Sequence, residues 1–128
     1  MRQGFEALNR RDFDTAAGSL LAPDSVWDFN AWGIGTFKGR AAIRRFLEDW
    51  LGSYEEYRAE RDETVDLGHG VVFTAYRERA CPPGSHAHLE RSRGVVALVR
   101  YGLLERFTFY SDIDEARADA ERLAEERG

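Results

Sequence analysis

"VVFTAYRERACPPGSHAHLERSRGVVALVR", residues 71–100, holds two runs rich in β-branched and aromatic residues on either side of a Pro-Pro-Gly turn. Side chains along a strand alternate, so Val72, Thr74, Tyr76 and Glu78 share one face of the first run while Phe73 and Ala75 take the other. Two antiparallel strands and a hairpin follow from that pattern. The same period of two continues outward on both sides. Upstream, "YEEYRAERDETVDL" (54–67) turns through "GHG" (68–70) into the first run; downstream, "YG" (101–102) leads from the second run into "LLERFTFYS" (103–111). Four consecutive strands joined by hairpins make an antiparallel meander. Because "VVALV" (95–99) is apolar on both faces, the second sheet face is expected to be buried as well, most simply against another copy of the chain. This predicts a homodimer.

The first half of the chain has a different period. In "MRQGFEALNRRDFDTAAGSLL" (1–21) apolar residues recur at helical spacing, and Asp12 is placed to cap a second short helix after Asn9. "SVWDFNAW" (25–32) alternates as a strand, with Trp27 and Phe29 on one face and Val26 and Asp28 on the other. Gly33 and Gly35 mark a bend or a short second strand. In "RAAIRRFLEDWLGS" (40–53) Ile43, Phe46, Leu47, Trp50 and Leu51 form the stripe of an amphipathic helix that Gly52 stops. At the end, "SDIDEARADAERLAEERG" (111–128) predicts a helix capped by Ser111 or Asp112, with a thin apolar stripe. Helices, a strand, a long helix and a meander together predict an α+β fold.

The chain has 128 residues, about one domain, and at that length folding removes roughly two thirds of the unfolded surface from water. Residues 1–128 are therefore expected to form a single domain with a real core. Hydrophobic residues at 43% and charged ones at 32% are ordinary for a globular protein and exclude a disordered or low-complexity chain. The net charge is −5 and the acidic and basic residues are interleaved, so no nucleic-acid partner is expected. Cys81 stands alone, which excludes an internal disulfide and suits a reducing compartment. No run is apolar enough for a signal peptide or a membrane span, and a soluble, cytoplasmic protein is expected. Nucleophile elbows, phosphate loops, dinucleotide fingerprints and paired-His zinc motifs are all missing, so neither a cofactor nor a metal is predicted.

Three segments carry a resemblance: "FEALNRRDFDTAAGSLLAPDSVWDF" (5–29), "GTFKGRAAIRRFLEDW" (35–50) and "ERFTFYSDIDEARADAERL" (105–123). In their order the chain resembles the SnoaL-like branch of the nuclear transport factor two-like superfamily. The resemblance implies a cone: a curved antiparallel sheet wrapping helices around a pocket. It also implies a set of activities, since members include ketosteroid isomerase, limonene epoxide hydrolase, polyketide cyclases and modules without turnover. Transferred through "PDSVWDF", the general-base aspartate of ketosteroid isomerase falls on Phe29, with Asp28 beside it on the opposite face. The Arg and two Asp that hold water in limonene epoxide hydrolase fall near Thr74, Tyr76 and Phe109, none of which ionises as that chemistry requires. Arg91 and Arg93 fall where that enzyme has apolar wall residues, implying a partly cationic wall here.

Trp27, Phe29, Phe107 and Phe109 are accordingly expected to line the cone interior, each able to bury roughly 150–250 Å² of ring. Thr74, Tyr76, Arg91 and Arg93 supply a polar wall. Glu78, cross-strand from Arg91, either pairs with it or shares it with a ligand. Trp50 and Phe46 are expected in the core rather than the pocket, Trp32 at the rim or in a dimer contact, and Asp28 in solvent or paired with an arginine. His86 and His88 lack a third metal ligand, and His69 belongs to its turn. The residues point to a small, mostly apolar ligand bearing a carbonyl, hydroxyl or carboxylate. Turnover, if any, would be proton transfer beside a carbonyl with a tyrosine or arginine on the oxyanion. The alternative is a protein-interaction module without turnover.

Overall fold

Two turns cut the second half of the chain into strands. Gly68, His69 and Gly70 have φ of 83°, 56° and 78°, and Tyr101 and Gly102 have 54° and 77°, left-handed backbone that reverses a chain within a few residues. At Gly70 a side chain is excluded twice over: φ is positive, and a Cβ would lie 2.3 Å from the Val99 carbonyl oxygen. That oxygen's own residue donates its N–H to the Gly70 carbonyl at 2.7 Å, tying the two turns together. The computed structural model describes residues 2–54, 56–81, 84 and 89–128. The strands are β1 (Leu21–Asp28), β2 (Thr36–Lys38), β3 (Glu56–Asp66), β4 (Val71–Cys81), β5 (Leu89–Arg100) and β6 (Leu103–Tyr110), in the sheet order β2-β1-β6-β5-β4-β3.

The four-strand meander is present as its alternation predicts. The sheet is not wholly antiparallel, however, because β1 runs parallel to β6 with Trp27 opposite Phe107. The whole intervening chain is the crossover that a parallel pair requires. The first strand also differs from the expected span. It begins at Leu21 and ends at Asp28, and residues Asn30–Trp32 form a 3-10 turn instead of continuing it.

On one sheet face lie helix α1 (Arg2–Asn9), a π-helical turn (Thr15–Ser19) and helix α2 (Arg40–Gly52). Asp12 caps the helical segment that begins at Phe13 and runs into this turn, as its position predicts, accepting from the Thr15 N–H at 3.2 Å and the Thr15 hydroxyl at 2.8 Å. Asn9 clasps the edge strand β3: its Nδ2 donates to the Ala59 carbonyl at 2.9 Å and its Oδ1 accepts the Ala59 N–H at 2.8 Å. In α2 the predicted stripe is buried at Ile43, Leu47 and Leu51, and Ile43 and Leu47 pack with Trp27, Tyr76, Val95 and Phe107.

Helix α3 (Ile113–Arg127) covers the opposite face, packing on β4, β5 and β6. Asp112 caps it, accepting from the Asp114 N–H at 2.8 Å. Its fully buried Ala116 and Ala120 meet Phe73, Ala75, Val96 and Tyr110 in a second core. This alters the reading of "VVALV". The outer half of that run is buried by the chain's own last helix, so its apolar character does not call for a second copy. Among the described residues no helix is long and apolar enough to cross a membrane.

Candidate functional site

Between the sheet and the helices α1 and α2 lies a cavity of about 190 Å³. Trp27 from β1 and Leu104, Phe107 and Phe109 from β6 form one side of it, and Val72, Tyr76, Val95 and Val99 from β4 and β5 form the floor. Tyr57 and Ala59 close it at β3, while Leu47 and Trp50 of α2 with Leu8, Ala16 and Leu20 roof it. The rings meet edge-on or tilted: Trp27 lies 5.1 Å from Phe107 at 76° and 5.9 Å from Phe109 at 48°. Such arrangements satisfy the ring quadrupoles. Where small residues such as Ala16, Ala59 and Gly102 stand opposite, the volume stays open.

One end of this space is polar. The Tyr57 hydroxyl donates to Glu78 Oε2 at 3.0 Å, and Arg93 Nε donates to Glu78 Oε1 at 3.1 Å. Glu78 is 6% exposed, and both of its oxygens are engaged by half-buried donors, as a carboxylate out of water requires. The Arg93 guanidinium in turn lies 4.2 Å from the centroid of the Trp32 ring, a cation–π contact that holds it in place. Burial, reinforced by the nearby Tyr76 and Glu78, pushes the Tyr57 hydroxyl well above its ordinary value of 10.0. Burial also raises Tyr76 well above 10.0, with Glu78 adding to the effect and Arg93 opposing it. Both phenols stay protonated at neutral pH. No charged side chain lies on the wall among the described residues. The Trp27 indole N–H and the Thr74 hydroxyl are buried without a hydrogen-bond partner among the described residues.

The SnoaL-like domain family matches residues 1–102. The chain belongs to that family. No curated protein matches it. Among solved structures, this SnoaL-like chain is similar to a nuclear transport factor two-like protein of unknown function from Burkholderia pseudomallei, with 23% identity, a TM-score of 0.75, and 89% of this chain and 88% of that one covered. It is also similar to TerC co-crystallised with polyporic acid, at 18% identity, a TM-score of 0.75, and 94% of each chain covered. A candidate polyketide cyclase from Xanthomonas campestris pv. campestris is 25% identical, with a TM-score of 0.70 and 93% and 92% coverage.

In this SnoaL-like domain the residues expected at the site separate into two groups. Trp27, Tyr76, Phe107 and Phe109 lie on the cavity wall. The other four do not. Phe29, past the end of β1, is fully buried behind Phe109, stacked on it at 4.1 Å and 10°, within a cluster of Trp32, Phe37, Phe46 and Trp50. Thr74 is fully buried between Val72 and Tyr76 along the strand, where the larger neighbours take the surface of the cavity. Arg93 is the partner Glu78 takes, and Arg91, directly cross-strand from Glu78, is exposed. The wall is therefore not cationic: the inward guanidinium is spent on Glu78 and on Trp32.

Trp50 also departs from expectation, since it lines the cavity rather than only filling core. Trp32 is drawn into the aromatic cluster. Asp28 faces away from Trp27, pairing with Arg106 at 2.8 Å and accepting the Asn30 N–H at 2.9 Å. His86 and His88 lie outside the described residues, and among the described residues no group of His, Cys, Asp and Glu could hold a metal. Tyr57, which also lines the cavity, lies outside the set of residues that the sequence pattern points to. Its signal is there, however: in "EEYRAERDE" (55–63) only Tyr57 and Ala59 are uncharged, and their spacing of two puts both on the inner face.

Proposed function

We propose that this SnoaL-like protein binds one small, flat, mostly apolar molecule carrying a hydroxyl or carbonyl group. The observation that carries the reading is the cavity of about 190 Å³, whose described lining is apolar apart from the hydroxyls of Tyr57 and Tyr76 and the indole N–H groups of Trp27 and Trp50. An engineered apolar cavity of about 150 Å³ takes benzene. The space here is somewhat larger and suits a compound of one or two fused rings. Protonated phenols at one end favour a ligand oxygen there, whereas a carboxylate buried on a wall without a cation would be costly. The polyporic acid crystallised with TerC and the candidate polyketide cyclase activity of the Xanthomonas protein are in keeping with an oxygenated ring compound.

Binding is favoured over turnover because, among the described residues, the wall offers no carboxylate to take a proton from carbon. Glu78 stands behind Tyr57 with both oxygens engaged. If a ligand is turned over as in the isomerases, cyclases or hydrolases of the superfamily, Tyr76 is the group suited to an oxyanion. The test is a thermal-shift and calorimetric comparison of naphthalene, 2-naphthol and 2-naphthoate. A ligand that binds only the folded state raises stability by RT ln(1 + [L]/Kd), about 2.7 kcal/mol at a hundredfold excess over Kd. The expected order of affinity is 2-naphthol, then naphthalene, then 2-naphthoate, with Tyr76→Phe weakening 2-naphthol about three- to tenfold. No response to any of the three would overturn the reading.

A further inference from the structure

Resting on that reading of the cavity, we infer that Tyr57 is its specificity-determining residue and sets the length of ligand it accepts. The Tyr57 side chain borders more than one space. On its inner side is the main cavity; beyond it is a crevice of about 10 Å³ whose described lining is Tyr54, Tyr57, Glu78, Ala80, Leu89 and Arg91. That crevice has room for about one water molecule. The two spaces share Tyr57 and no other described residue, so its ring is the partition between them.

The partition is fixed in place. Its hydroxyl is bound to Glu78, and Arg93 holds Glu78 from the other oxygen. On its faces and edges Trp50 lies 5.3 Å away at 61° and Tyr54 6.1 Å away at 36°. A ring braced by a hydrogen bond and two aromatic neighbours does not swing aside for a ligand without losing those contacts. An elongated ligand lying with its ring among Trp27, Leu104 and Phe107 therefore ends at Tyr57. Ligands short enough to stop there gain affinity with every added methylene, about fourfold each. Longer ones meet the phenol. Without that ring the channel would continue past Ala80 toward Arg91, so the class of compound admitted is set by one side chain rather than by the cone as a whole.

The experiment measures calorimetric affinities for the neutral series benzyl alcohol, phenylethanol, phenylpropanol, phenylbutanol and phenylpentanol. In the wild-type chain affinity should rise about fourfold per carbon and then fall at a defined length. Tyr57→Ala should move the fall at least two carbons further, and Tyr57→Leu, which keeps more of the side chain's bulk, about one, so the result does not hang on the Ala variant folding. Tyr57→Phe keeps the ring and should keep the wild-type limit. An unchanged limit in Tyr57→Leu and Tyr57→Ala, with native circular dichroism, would overturn the inference while leaving the cavity reading intact; so would a limit in Tyr57→Phe that moves as far as in Tyr57→Ala. If no alcohol binds any of the four proteins, the cavity reading itself fails and the inference with it.

Discussion

The inner and outer faces of the sheet are both buried, yet they are built from residues of different size, and the contrast explains where the cavity lies. On the inner face large rings converge from β1, β6, β4 and α2, and Phe107 and Phe109 stand 5.3 Å apart at 55°. Small residues, Ala16, Ala59 and Gly102, share the cavity lining with the rings, and the space between them stays open. On the outer face α3 presents Ala116 and Ala120, and opposite them β5 has Gly94, where an added Cβ would sit 2.7 Å from the Ala116 Cβ. Small residues let a helix backbone settle closely onto the strands. Stability is concentrated where packing is solid, and ligand capacity where it is not.

Four substitutions probe that contrast. The largest effect is expected on the solid face: Phe73, 1% exposed, should cost about 3–5 kcal/mol when changed to Ala, measured by urea denaturation, with the affinity for 2-naphthol unchanged in the folded fraction. Gly94→Ala should cost about 1–3 kcal/mol by forcing α3 off the sheet. A neutral result there would mean that α3 is loosely docked and that the two faces are not so different. Ala59→Leu, on the cavity wall, should do the reverse of both. By filling open space it is expected to raise the unfolding free energy by about 0.5–2 kcal/mol while reducing 2-naphthol affinity beyond detection. Smallest is Asp28→Asn. Its ion pair with Arg106 is part-exposed, so the loss should stay within about 1 kcal/mol, with ligand binding within a few-fold of wild type. A large loss of binding would bring Asp28 back into the site.

Much of this architecture is legible in the sequence because periodicity reports burial. The α2 stripe, the four strands of the meander and the inward facing of Trp27 against the outward facing of Asp28 all follow from periods of 3.6 and two. Phe29 shows where that rule stops. Alternation puts it on the same face as Trp27, and it is indeed buried, but β1 ends one residue earlier and the chain turns, carrying the ring behind Phe109 rather than onto the wall. The pairing of β1 with β6 is between distant residues and leaves no local mark. Nor does a stripe of two alanines reveal how closely α3 docks, because its partner is a glycine with no side chain to signal a contact. Arg91 and Arg93 share a face, and which of them takes Glu78 depends on a diagonal reach across the strands that spacing alone leaves open.

The central claim is that the inner face holds the ligand and the outer face does not, and methyl-detected NMR during a 2-naphthol titration tests it most directly. The methyl signals of Leu8, Leu47, Val95, Val99 and Leu104, all on the cavity wall, should shift together and saturate. Those of Val71, Val96 and Leu123, in the core under α3, should stay where they are. Shifts confined to the second group, or none in either at saturating ligand, would contradict the account.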